Sequence, residues 1–140
     1  MYLTYQEYQN MGGTLNETTF NDLEFEAASV IDWYSFGRLR KDTEFSEEVK
    51  RCDYKLIQFI LQKQMAEAVA DAGGASSNEV AVGITSQSND GVSISYNVMN
   101  AKDIVENCKA EMATIVQRYL AYVTNSLGQK VLFRGLYKNE

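Results

Sequence analysis

Between Thr14 and Leu39, in TLNETTFNDLEFEAASVIDWYSFGRL, apolar positions recur at helical spacing more strongly than anywhere else in the chain. With Phe20 set at zero and about 100° added per residue, Phe20, Leu23, Ala27, Ala28, Val30, Ile31 and Tyr34 fall on one side, and Phe25, Trp33 and Phe36 on the other. The first stripe predicts a core helix. A helix of a small monomer needs only one such stripe, so the aromatic second one is expected to meet a further layer of the same domain or a neighbouring subunit. Thr14 with Glu17 reads as the capping box of this helix, which is expected to run to Phe36 and stop near Gly37.

Upstream, Thr4 with Glu7 reads as another capping box, opening a short helix through Asn10 that Met11, Gly12 and Gly13 end. Tyr2, Tyr5 and Tyr8 recur at every third position and are expected to pack against the Thr14–Leu39 helix. Downstream, Ser46 is the predicted N-cap of a helix from Glu47 to Ala72, with Val49, Cys52, Leu56, Ile57, Phe59 and Ile60 as its stripe. The small residues Gly73 to Asn78 then break the pattern and read as a joint.

Beyond the joint the period changes from helical to alternating. Val80, Val82 and Ile84 alternate with small residues, as do Val92, Ile94 and Tyr96, and Asn89, Asp90 and Gly91 between them supply turn chemistry, so 79–98 is predicted to be a β-hairpin. A lone hairpin is marginal in water, so its apolar face must dock on the helices or on another chain. Asn100 with Asp103 opens a last helix predicted over Ala101 to Ser126, striped with Ile104, Val105, Cys108, Met112, Ile115, Val116, Tyr119, Tyr122 and Val123. Gly128 closes it, and KVLFRGLYKNE follows as an extended, apolar tail with nothing local to pack on. The chain is thus predicted to be mostly α: about four helices, two or three of them long, in a small bundle. It is expected to be one domain, with a helical core at 1–72 and 100–127, a hairpin arm at 79–98 and a tail at 129–140.

Composition narrows the function. The 140 residues are enough to bury a core, and a net charge of −6 with pI near 4.7 argues against gripping nucleic acid or an anionic membrane through a basic face. No signal-peptide pattern or long apolar run is present, so a product made in the cytoplasm is expected. With no histidine, a Ser/His/Asp triad, a Cys/His dyad and a His-containing zinc site are excluded. Cys52 and Cys108 sit on apolar stripes and are expected to stay free.

No catalytic residue, cofactor site or metal ligand is predicted. Gly73 and Gly74 are not followed by the Lys-Ser or Lys-Thr of a phosphate loop. Glu24 and Glu26, or Asp103 and Glu106, could be offered as paired carboxylates but read as solvated helix faces. Arg38, Arg40 and Lys41 read as a solvated basic turn complementing the helix dipole.

Taken in order, YLTYQEYQNMGG, FNDLEFEAASVIDWYSFGRL, the SNDG hairpin with VSISYN and the terminal VLFRGL resemble head-tail connector (adaptor) proteins of tailed bacteriophages. The resemblance spans nearly the whole chain and is one of pattern and order. It implies a structural virion protein at the head-tail interface, made in the host cytoplasm and assembled as a homo-oligomeric ring, commonly of twelve copies. Such a ring would bind the portal protein above and a head-completion (stopper) protein below, with double-stranded DNA passing through without specific binding and no membrane involved. On that reading Val131, Leu132, Phe133, Arg134, Leu136 and Tyr137 form a portal-binding tail able to add a strand to a sheet edge. The hairpin residues Val80, Val82, Ile84, Val92, Ile94 and Tyr96 join neighbours, and Phe25, Trp33 and Phe36 offer a subunit contact. The alternatives are a cytosolic protein-binding module outside any virion and a stopper.

Overall fold

The structure, a computed structural model, describes residues 1–73 and 101–138. The described residues form four α-helices: α1 (Tyr5–Asn10), α2 (Glu17–Ser35), α3 (Glu47–Gly73) and α4 (Ala101–Leu120). Beyond the helices there is only an isolated antiparallel bridge between Thr124 and Lys130 among these residues. The mostly α class is therefore as expected. The predicted hairpin over 79–98 and the N-cap Asn100 lie outside the described residues. Two compact units are distinguished, Met1–Ile60 with Glu111–Glu140, and Leu61–Ala110. No described helix is long and apolar enough to cross a membrane.

In the first unit, α1 begins at the expected capping box: the Glu7 amide donates to Thr4 Oγ1 (3.3 Å), and the Thr4 amide donates to Glu7 Oε2 (2.9 Å). Tyr2 and Tyr8 are buried in the core and Tyr5 partly so. Tyr8 packs against Phe20 (ring centroids 4.9 Å) and Tyr54 (5.6 Å), Tyr5 against Phe20 (5.4 Å), and Tyr2 edge-on against Phe45 (4.7 Å). Gly13 fits beneath the Tyr8 ring, where a Cβ would lie 2.1 Å from a ring carbon.

The start of α2 departs from expectation. Its N-cap is Asn16, whose side-chain oxygen accepts from the Thr19 amide (2.9 Å), so the helix begins two residues later than a Thr14 cap would place it. Leu15 is instead used as a strut: its carbonyl accepts from the Tyr5 hydroxyl (3.0 Å) and its amide donates to the Tyr8 hydroxyl (3.4 Å). Phe20, Leu23, Ala27, Ala28 and Ile31 are buried, with Val30 and Tyr34 partly so, and Val49, Cys52, Leu56, Ile57 and Ile60 of α3 are buried as well. Deep burial raises the Cys52 thiol to about 12, leaving it an inert hydrophobe. Neither Cys52 nor Cys108 forms a disulfide.

The last helix ends at Leu120, six residues before the predicted Ser126. The cause is Asn125, which is buried and whose side-chain oxygen accepts from the amides of Leu127 (3.1 Å) and Gln129 (2.9 Å). Such local side-chain bonds compete with a helix, and they turn the chain so that the Val131 amide donates to the Val123 carbonyl (3.1 Å). Of the expected stripe, Val116 and Val123 are buried, whereas Tyr122 faces solvent.

Candidate functional site

At the C-terminal end of α2 the chain must leave the helix while the aromatic stripe continues. It does so with Phe36 in the left-handed region (φ 55°) and Gly37 likewise (φ 69°). Glycine adopts that conformation freely, but a bulky residue there is strained by about 1–2 kcal/mol. The result aims the Phe36 ring outward. Phe25, Trp33 and Phe36 are 72%, 79% and 60% exposed, so this stripe is covered by no second layer among the described residues. Trp33, Tyr34 and Phe36 with Leu132 of the tail line an open groove of about 730 Å³, with Asp32, Arg40 and Arg134 as its charged members.

The rim beside the groove is fixed by a relay of polar contacts. The Tyr2 hydroxyl donates to Asp32 Oδ1, and Asp32 Oδ2 accepts from Arg40 Nε at 2.8 Å. Burial, and then the Asp32 carboxylate, push the Tyr2 phenol above its ordinary value. The N-terminal segment is thereby tied to the groove-bearing end of α2.

Arg38, read from sequence as solvated, is buried at 7% exposure. Its Nη1 lies 3.4 Å from the Lys130 carbonyl and 3.3 Å from that of Val131, and also bonds the Phe133 carbonyl. Its Nη2 donates to the Gly135 carbonyl at 2.7 Å. The rings of Phe36 (5.2 Å), Tyr137 (5.0 Å) and Phe133 (6.0 Å) surround the guanidinium. Arginine suits this place because its planar, permanently charged fork offers several donors and a stacking face at once. The expectation of a tail with nothing local to pack on is therefore corrected. Val131 is fully buried and Leu132 partly so, while Phe133 and Arg134 are exposed and Leu136 is 87% exposed.

A second polar cluster lies in the core. Phe20, Glu24, Ala27 and Ile31 follow the spacing i, i+4, i+7, i+11, and so do Val49, Asp53, Leu56 and Ile60. Each row is apolar but for one acid at its second place, and the two acids meet. Glu24, expected in solvent, is buried; its Oε1 accepts from the Tyr2 amide (2.8 Å) and lies 3.9 Å from the terminal amino group. Asp53 is fully buried, and neither oxygen has a donor. An ionised Asp53 would be an uncompensated charge, so it is held protonated: burial first, then the Glu24 carboxylate, raise it well above its ordinary 3.8, and its proton goes to Glu24. An acid interrupting an apolar row was the sequence signal for this pair; Arg38 carried none.

The structure thus brings Trp33, Phe36, Leu132 and Arg134 together along the groove, and gathers Phe36, Phe133 and Tyr137 around Arg38. Phe25 lies on the same stripe of α2 but does not line the groove. Val80, Val82, Ile84, Val92, Ile94 and Tyr96 are outside the described residues. No group of acidic residues and cysteines suited to a metal occurs among the described residues. Comparison with protein-family models, curated proteins and solved structures finds no match.

Proposed function

We propose that this chain is a structural adaptor of the tailed-phage head-tail interface: one subunit of a ring that joins portal to stopper and leaves a passage for DNA. The observation that carries the reading is the uncovered aromatic face of α2, with Phe25, Trp33 and Phe36 more than half exposed. Exposed apolar surface of this kind marks sites of protein association, and Trp and Phe are among the residue types enriched at subunit contacts. The strained backbone at Phe36 adds to it, since strain of this type is retained where a side chain must be aimed. An acidic subunit beside a passage repels phosphate and lets the duplex slide. The order of sequence blocks resembling connector proteins supplies the partners.

The test is assembly. The purified chain, alone and mixed with portal protein, is measured by size and particle imaging; discrete multi-subunit rings are expected in one or both conditions. A persistent monomer in both would overturn the reading in favour of a cytosolic binding module. Tail binding is best tested with Phe133→Ala and Leu136→Ala together, since both side chains are exposed. Removing the tail outright would also take the fully buried Val131 out of the core and leave a cavity. The double variant should stay folded, with its melting temperature lowered only by the lost Phe133 ring contacts, and lose portal binding.

A further inference from the structure

The Arg38 cage has a geometric consequence for the tail. Val131, Phe133 and Gly135, whose carbonyls it holds, are alternate residues. In an extended strand such carbonyls line one edge, about 7 Å apart along the chain, too far for a single guanidinium to reach all three. The segment is therefore curled around Arg38, and its own contacts keep it so. The Lys130 amide donates to the Tyr137 hydroxyl (2.9 Å), the Phe133 amide donates to the Lys130 carbonyl (3.2 Å), and the two rings lie 5.1 Å apart. Gly135 permits the curl, since a Cβ there would stand 2.5 Å from the Phe133 ring.

We propose that residues 130–137 form a strap that Arg38 holds in a closed, self-inhibited state, and that the strap must leave Arg38 before it can add as a strand to a partner's sheet edge. This rests on the reading of the tail as a binding segment. Strand addition draws its affinity from main-chain bonds of alternate residues, and the alternate carbonyls of one edge are the ones Arg38 occupies. Closed and strand-paired states therefore exclude each other. The side chains agree with a releasable element: Val131 is the fully buried apolar anchor, while Phe133 is about half exposed and Leu136 faces outward. Arg38 itself stays in place, because its backbone is fixed at both ends: its amide donates to the Ser35 carbonyl (3.1 Å) and its carbonyl accepts from Asn125 Nδ2 (3.4 Å). Release costs the strap its charge-assisted bonds and leaves the body of α2 unchanged. A partner edge that replaces those bonds recovers the cost, so the chain alone stays closed and does not offer an open strand edge to other copies.

The experiment is residue-resolved amide hydrogen exchange on the full chain, without any partner, comparing wild type, Arg38→Lys and Arg38→Gln. Loss of bonds from a charged donor is worth about tenfold or more in the opening equilibrium. The expected result is therefore at least tenfold faster exchange at the Lys130 and Phe133 amides in Arg38→Gln, a smaller rise in Arg38→Lys, and unchanged exchange within α2. Gly135→Val disturbs the cage from the tail side and should give the same rise, which keeps the test open if an Arg38 variant fails to fold. Equal exchange at Lys130 and Phe133 in wild type and all folded variants overturns the strap. With portal protein added, Arg38→Gln should associate about tenfold faster than wild type; slower or unchanged association by a variant with a freed tail also overturns it. Failure of wild type and variants alike to bind portal, with exchange raised as expected, instead overturns the adaptor reading.

Discussion

Replacing Asp53 by asparagine should stabilise this protein at neutral pH, and by an amount that grows with pH. Asp53 has no access to solvent and no donor for either oxygen, and it faces the carboxylate of Glu24, with the terminal amino group as the nearby cation. Its folded-state value is raised above the ordinary 3.8. The stability that goes with the bound proton is therefore complete below 3.8 and is lost as pH rises toward the folded value. Holding the proton costs about 1.4 kcal/mol for each pH unit between 3.8 and the folded value. An amide at this position donates to Glu24 without needing a proton, and it loses about 1–3 kcal/mol through its second, unpaired N–H. The two variants should be close in stability near pH 5. Asp53→Asn should then gain about 1.4 kcal/mol per unit until the wild-type carboxyl ionises. Urea unfolding at half-unit steps from pH 4.5 to 8.5, with matched m-values, measures the difference. A pH-independent difference, or an Asp53→Asn that falls further behind as pH rises, would refute a shared proton at this pair.

Other outcomes test the remaining parts. Trp33→Ala should leave the melting temperature nearly unchanged, because the indole is exposed, while weakening assembly measured by sedimentation; a core tryptophan would instead cost about 3–5 kcal/mol and unfold the subunit first. Gly13→Ala should destabilise by about 1–3 kcal/mol in a thermal melt, since its new methyl meets the Tyr8 ring, which Phe20 and Tyr54 hold in place. Glu7→Gln should cost most above pH 4.5 and cost nothing as pH falls through about 2, because the Lys50 ammonium at 2.6 Å and the Thr4 amide lower the Glu7 carboxyl to about 2; unfolding of both forms across that range is the check.

The helical class, the capping box at Thr4, the Glu47 start of α3 and the front stripe of α2 were all legible along the chain, because each depends on neighbours within one or two turns. So was the existence of a second aromatic stripe. Local spacing places Phe25, Trp33 and Phe36 on one side of a helix, and only the packed structure shows that no described layer covers them. The N-cap of α2 moved to Asn16 because Leu15 is claimed by two tyrosines ten and seven residues away. The end of α4 moved to Leu120 because an asparagine side chain outcompeted the next helical turn.

The two polar anchors differ in how far they could be foreseen. Glu24 and Asp53 each interrupt an apolar row, a local sign that something buried must satisfy them, but which acid meets which is set by how α2 lies on α3. Arg38 stands next to Gly37 among basic neighbours and looks like any helix-end cation. Its partners are carbonyls more than ninety residues onward, and a carbonyl carries no side-chain identity for a sequence to display. The chain by itself determined where helices form and which faces are greasy, since those follow from torsional preference and spacing. Tertiary structure alone decided which charges are buried, which tail edge is occupied and which aromatic face stays uncovered among the described residues, since desolvation depends on what the rest of the chain brings near.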